Sequence, residues 1–298
     1  MKILLTGASG YIGSHLLPHL LEAGHHVYAL VRHGKNLSIE PKFKDRVTFL
    51  QGDLLDRSSL PALKELDAAY YLVHSMADDP KHFSELEEKS CHNFLSLIEN
   101  TGIQQIIYLS GLHHGTDLSK HFRSRLHIEN LLKSSTLNVT IIRASIIIGA
   151  ESASFKIIRD LVDKLPVMIA PRWLQTQCQP IAVSDVIYYL TALLNQPQAL
   201  NKTFEIGGPD ILTFKEMLLV YAKLRGLKRW IITVPLLTPH LSSYWLYLVT
   251  RVNFALASSL VESLKVESIV QNHEIEILFP HVCMTYEEAI QQALAKEE

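Results

Sequence analysis

Cysteine is scarce and scattered in this chain of 298 residues: Cys91, Cys178 and Cys283 are odd in number, far apart and in no CxxC pair. That leaves no disulfide framework to read, and a reducing, cytoplasmic compartment is the expectation. An excess of charge of one sign is also lacking. The 28 Lys and Arg and the 30 Asp and Glu are interspersed and give a net charge of −2, which is no electrostatic footprint for nucleic acid. No stretch of about 18 uncharged apolar residues occurs before residue 230, so nothing there is expected to span a bilayer. The apolar run Ile3–Leu5 is too short for a signal peptide and leads directly into glycines. Internal repeats and low-complexity tracts are missing too. What remains is the composition of a soluble globular protein, 48% hydrophobic with a mean hydropathy of +0.13. Its length allows a large core, in one big domain or two modest ones.

Short β-branched runs alternate with longer segments of helical period, which predicts parallel strands joined by crossover helices. The strand candidates are Lys2–Thr6, Val27–Arg32, Val47–Gln51, Ala69–His74, Gln105–Ser110 and Val139–Ala144. Most are continuous apolar runs, as strands covered on both faces should be. Helices are expected near Tyr11–Ala23, Ser58–Leu66, Pro80–Asn100 and Ser119–Lys133, with Gly24 and Gly102 at C-cap positions. Pro18 should cost the first helix one hydrogen bond and bend it. After Gly149 the rhythm changes. Helical segments near Ser154–Leu165, Ser184–Leu194 and Phe214–Arg225 are separated by the short runs Val167–Ala170, Gln179–Val183, Thr203–Ile206 and Trp230–Val234. From Trp230 the chain is unusually apolar, but Pro235, Pro239 and Arg251 interrupt it, so it is not one clean spanning helix. Core or interface is the expectation for residues 230–264, with membrane-surface or protein contact as the alternative.

The segment Gly7-Ala8-Ser9-Gly10-Tyr11-Ile12-Gly13 follows the first strand and opens the first helix. In that setting the first glycine permits the tight turn, the second lets the backbone approach a pyrophosphate, and the third lets helix and strand pack closely. Free N–H groups at the helix start then face the phosphates. Cofactor contacts are therefore expected from Gly7, Ser9, Gly10, Tyr11, Ile12 and Gly13. The expected fold class is α/β: a doubly wound parallel Rossmann sheet with a smaller C-terminal α+β substrate lobe. Residues 1–150 form the dinucleotide-binding domain in this reading, and residues 151–298 a substrate or partner lobe interleaved with it.

The second strand ends in Arg32, His33 and Lys35, with no acid before Glu40. A ribose 2′-OH is normally met there by Asp or Glu, and a 2′-phosphate by Arg. Charge complementarity thus favours NADP(H) over NAD(H), with Arg32 and His33 as contacts.

The stretches "TGASGYIGSHL", "QGDLLD", "YYLVHS", "IIYLSGL", "IIRASIIIGA", "QPIAVSDV" and "FEIGGPDILTFKEML" resemble the extended and atypical short-chain dehydrogenase/reductases. That group includes the NAD-dependent epimerase-like and NmrA-like proteins. The resemblance implies that Asp53 and Leu54 sit by the adenine, Val73 and His74 beside the riboses, and Ser110 at the nicotinamide. It also exposes a departure. Family members that perform hydride chemistry carry a Tyr followed four residues later by a Lys, usually within "YxxSKxxxE". This chain reads His121-Phe122-Arg123-Ser124-Arg125-Leu126-His127-Ile128-Glu129, so His121 takes the Tyr position and Arg125 the Lys position. One helical turn apart, the two can reach the same cleft. Ser110, His121 and Arg125 are then the catalytic candidates, with His121 shuttling a proton, Arg125 gripping a ribose or phosphate, and Ser110 orienting a carbonyl.

Arg143 ends the sixth strand, where either a substrate contact or a structural ion pair fits. Trp173, in the segment joining the lobes, suits an apolar or ring-bearing ligand. His113, His114, His121 and His127 form a local cluster without a carboxylate or Cys at ligand spacing, and no metal site is assigned. Asp78-Asp79 ahead of Pro80 has the pattern of a helix N-cap, and Asp185 that of a structural, helix-opening aspartate. Three functions stay open: an NAD(P)H-dependent oxidoreductase acting on a small carbonyl-, enol- or quinone-like molecule, a non-catalytic NADP(H)-binding sensor or assembly factor, and a sugar-nucleotide epimerase-like enzyme. A small-molecule substrate is the expected partner in the first and third, and the oligomeric state is not legible.

Overall fold

The computed structural model describes residues 1–32, 37, 39–73, 83–115, 118–234 and 265–297. The first 150 residues contribute β1 (Lys2–Thr6), β2 (His26–Val31), β3 (Val47–Gln51), β4 (Ala68–Tyr71), β5 (Gln105–Gly111) and β6 (Val139–Ala144), with β7 (Ile147–Ile148) at their end. The later residues contribute β8 (Val167–Pro171), β9 (Gln177–Cys178), β10 (Ile181–Ala182), β11 (Thr203–Ile206), β12 (Leu212–Thr213) and β13 (Trp230–Val234). Helices α1 (Tyr11–Glu22), α2 (Phe83–Ile98) and α3 (Lys120–Lys133) alternate with the first strands. They are followed by α4 (Ala153–Lys164), α5 (Val183–Ala192), α6 (Phe214–Leu224), α7 (Glu274–Leu278) and α8 (Tyr286–Ala295).

Seven strands make one parallel sheet in the order β11-β6-β5-β4-β1-β2-β3. Chain direction across the sheet switches between β1 and β4, which opens a crevice at their carboxyl ends. The continuous apolar runs have the cause the sequence implied. Ile3 and Leu5 face a core with Leu16, Leu20 and the α5 residues Val186 and Leu190, whereas Leu4 faces Cys91 and Phe94 of α2 and Ile128 of α3. β1, β4, β5 and β6 are thus buried on both sides, whereas the edge strand β3 is only partly covered. A third core joins α4, α6 and α8 through Phe155, Tyr221 and Ile290. Residues after Gly149 are part of the same sheet and core, because β11 extends the main sheet beside β6 and α5 lies against α1.

Two expected elements differ. The helix expected over Ser58–Leu66 is only a 3-10 turn at Arg57–Ser59. Pro61 is the reason: it has no N–H to donate, and it holds Leu60 extended at φ −79° and ψ 133°. The run Gln179–Val183 divides, with Ile181–Ala182 in a short strand and Val183 already opening α5. Helix α1 runs through Pro18 without a break. Gly24 and Gly102 take positive φ values of 85° and 74°, as helix C-termini favour. Trp230–Val234 pairs in parallel with β8, and residues 235–264 of the apolar stretch lie outside the described residues. Among the described residues no helix is long and apolar enough to cross a membrane.

Candidate functional site

The glycine loop sits at the switch point. Gly7 leaves β1 with φ +71°, and a Cβ there would lie 2.5 Å from the Leu72 carbonyl oxygen, where the chain leaves β4. A Cβ on Gly13 would collide with the Gly7 carbonyl oxygen and reach within 2.8 Å of the Ala8 Cα. These two glycines are therefore required by packing. Gly10 is different: it is the N-cap of α1, no side chain caps the helix there, and a Cβ would meet only the Gly7 oxygen, at 3.1 Å. The first turn of α1 carries no acidic residue, and Ser9 and Gly10 are exposed. Its leading amides are available to an anion, as a pyrophosphate site needs. The Thr6 hydroxyl donates to the Tyr70 carbonyl at 2.9 Å, which ties the ends of β1 and β4 beneath the loop.

Arg32 follows β2 directly and is exposed. Asp53 organises a turn after β3, its side chain accepting from the Leu55 amide at 2.9 Å. Leu54 is buried and Val73 half-buried. His33, Lys35, His74, Asp78 and Asp79 lie outside the described residues.

A cavity of about 370 Å³ opens between the glycine loop and residues of α4, α6 and the Trp173 segment. Its wall brings together Tyr11, Ile12, Ser110, His121, Arg125 and Trp173. β5 delivers Ser110 at its carboxyl end, and α3 delivers His121 and Arg125 one turn apart. Arg125 is buried, and its Nε–H donates to His121 Nε2 at 2.9 Å while Nη1 donates to the Leu109 carbonyl at 3.3 Å. With Nε2 accepting, a neutral His121 ring carries its proton on Nδ1. Phe122 lies over Gly111, where a Cβ would stand 2.8 Å from the Phe122 ring. That bare backbone lets α3 approach β5.

The sequence pointed to the main chain of Tyr11, and the structure adds its side chain. The phenol lies against Gly149 near Ser152, and burial pushes it up to about 12. The wall also includes Val266 and Ser268, which no local pattern marks. Ser268 is held by its carbonyl accepting from the Ser145 hydroxyl at 2.9 Å. The apolar side of α4 was legible, because Ile157, Ile158 and Leu161 recur at helical spacing.

Arg143 does not line the cavity. Its Nε donates to both carboxylate oxygens of the fully buried Glu129, at 3.0 and 3.2 Å. The histidine cluster disperses to separate partners. His113 Nδ1 bonds the Gly111 carbonyl at 2.9 Å, His114 Nε2 the Ile269 carbonyl at 2.8 Å, and His127 approaches Glu88 at 3.2 Å. Asp185 takes the Met284 amide at 3.0 Å and His281 at 2.8 Å, fastening α5 to the C-terminal segment.

Burial pushes His113 below its ordinary value, with Arg143 acting in the same direction against the Gly111 hydrogen bond and Glu129. The unfolded chain therefore binds a proton more readily than the folded one, and stability rises with pH. This group's contribution is complete above about 6.5 and is lost as the solution is acidified below it. The expected result is a melting temperature that falls less steeply on acidification in His113→Gln than in the parent.

Comparison with known proteins places this geometry. A family model described as the NmrA-like family matches residues 1–281. Eugenol synthase 1 of Petunia hybrida is 23% identical over 248 residues, covering 76% of this chain and 75% of that protein. The matches to plant isoflavone reductase homologues span only 31% of those proteins' length. Among solved structures, a nucleoside-diphosphate-sugar epimerase from Staphylococcus aureus superposes with a TM-score of 0.77 at 16% identity, over 98% of this chain and all of that one. MoeE5 in complex with UDP-glucose and NAD superposes with a TM-score of 0.72 at 17% identity, over 99% of this chain and 98% of the other.

Proposed function

The chain belongs to the NmrA-like family, and from that premise we propose that it is an NAD(P)H-dependent oxidoreductase acting on a small carbonyl-, enol- or quinone-like molecule. The observation that carries this reading is the shared wall: Tyr11 and Ile12 of the glycine loop border the same cavity as Ser110, His121 and Arg125. The open helix start at Gly10, where a Cβ would meet only the Gly7 carbonyl oxygen and no side chain caps α1, fits a diphosphate. Amides of the Gly7–Gly13 loop would hold the diphosphate, Asp53, Leu54 and Val73 the adenosine side, and Arg32 a 2′-phosphate. Bound there, the cofactor supplies a hydride. The chain's own part is positional. Ser110 orients the substrate oxygen, and His121 donates to it from Nδ1. Arg125 fixes the imidazole through Nε2 and keeps a positive charge beside the developing alkoxide.

Arg32 makes NADP(H) the preferred cofactor. Arg32→Ala is expected to weaken NADPH binding about tenfold and to leave NADH nearly unchanged, since an exposed guanidinium–phosphate pair is worth of order 1 kcal/mol. Fluorescence titration checks it; a parent protein that prefers NADH would overturn the assignment. Turnover is tested by NADPH oxidation with quinone and aldehyde panels. His121→Phe should abolish activity while cofactor binding persists. Unchanged turnover would remove His121 from the chemistry. A parent that binds NADPH but oxidises it with no acceptor would favour the second reading, a non-catalytic sensor, to which the missing Tyr–Lys pair points.

A further inference from the structure

Three polar groups on the cavity wall lack a hydrogen-bond partner among the described residues. Ser110 Oγ, the Tyr11 hydroxyl and Trp173 Nε1 are shut off from water, and none closes a well-formed hydrogen bond among the described residues. The Tyr11 hydroxyl feels Ser152, and Ser110 lies near the Tyr108 phenol, but neither pair reaches good geometry. Dry, unpaired donors are costly and rare, and three on one wall call for a ligand. Most of the remaining wall is aliphatic or aromatic, with Leu109, Ile147, Ile158, Phe214 and Met217 prominent, and its other polar groups are the serines Ser145, Ser152, Ser154 and Ser268 beside His121 and Arg125. Among the described residues no Asp, Glu or Lys lines it, and the guanidinium of Arg125 already donates to His121 and the Leu109 carbonyl. Trp173 stands edge-on to Phe214, ring centres 6.3 Å apart, so its indole is braced as a side wall. An indole N–H only donates, so whatever satisfies Trp173 must bring an acceptor.

We propose, building on the oxidoreductase reading above, that the substrate is an uncharged, ring-bearing molecule of largely apolar surface with oxygen acceptors on two edges. Ser110 meets the reacting oxygen, and Trp173, assisted by Tyr11, meets the distal one. A turn about χ1 of Ser110 and a tilt of the two rings as the ligand seats bring the donors to it. Trp173 is then a specificity-determining residue. A nucleoside diphosphate sugar does not suit this wall, whose described residues offer no uncommitted cation for a diphosphate and no carboxylate for sugar hydroxyls.

Calorimetric titration of the full chain with menadione, a naphthoquinone with oxygens on opposite edges, and with UDP-glucose tests this, each with and without NADP⁺. Saturable menadione binding is expected, at least about 100-fold tighter than UDP-glucose. Trp173→Phe should weaken menadione about 5-fold or more without lowering the melting temperature, because it removes an unpaired donor and keeps an aromatic ring. The proposal is overturned if UDP-glucose binds as tightly as menadione, if menadione does not bind, or if Trp173→Phe leaves its affinity unchanged. Absence of NADP⁺ binding would sink the oxidoreductase reading by itself, while the cofactor-free titrations still report the cavity's preference.

Discussion

Replacing Gly13 with alanine is expected to cost about 3 kcal/mol or more of folding free energy and to abolish NADPH binding. The added methyl would strike the Gly7 carbonyl and approach the Ala8 Cα to 2.8 Å, and both obstacles are backbone. No side-chain rotation relieves either, so α1 must move off β1, taking with it the amides that would face the diphosphate. Gly10→Ala is the informative companion. Its methyl meets only the Gly7 oxygen, at 3.1 Å, so the fold should persist while the approach of a phosphate is blocked. Thermal melts with NADPH titrations separate the two effects. A Gly13→Ala protein that melts with the parent and still binds NADPH would refute the close helix–strand contact.

The second large effect concerns the ion pair under the sheet's carboxyl edge. Glu129 is fully buried and the Arg143 side chain is 19% exposed, with a forked contact between them. Arg143→Leu leaves a carboxylate dry and unpaired and is expected to destabilise by about 3–5 kcal/mol. Adding Glu129→Leu should recover most of that loss, since apolar replacement of both partners is far less costly than breaking the pair. Denaturant melts of the two single variants and the double variant give the coupling directly. Stability unchanged in Arg143→Leu would show that the pair contributes nothing to the fold.

Much of the architecture was legible because the physics that sets it is local. The run Lys2–Thr6 is apolar at every position that two covered faces demand, and Gly7, Gly10 and Gly13 mark the turn that follows. Helix α3 was readable from Ser119, which caps it by accepting the Phe122 amide at 3.2 Å. The helix expected at Ser58–Leu66 was a misreading: the apolar spacing suggested it, but Pro61 outweighs that spacing and only a 3-10 turn forms. The candidate site divides differently. His121 and Arg125 share a helix face, so their meeting at one wall follows from spacing. Val266 and Ser268 reach that wall from the far end of the chain, and no short-range pattern carries such a contact. The Tyr11 phenol was missed for another reason: the loop motif draws attention to its backbone, while its side chain is placed by the bare Cα of Gly149.

The central claim, that the amino-terminal loop grips a phosphorylated nicotinamide dinucleotide, is tested most directly by isothermal titration of the purified chain with NADPH and NADH. The account predicts one saturable site per chain, tighter for NADPH, with the difference between the two coenzymes erased in Arg32→Ala. No heat with either coenzyme from a folded sample would contradict it.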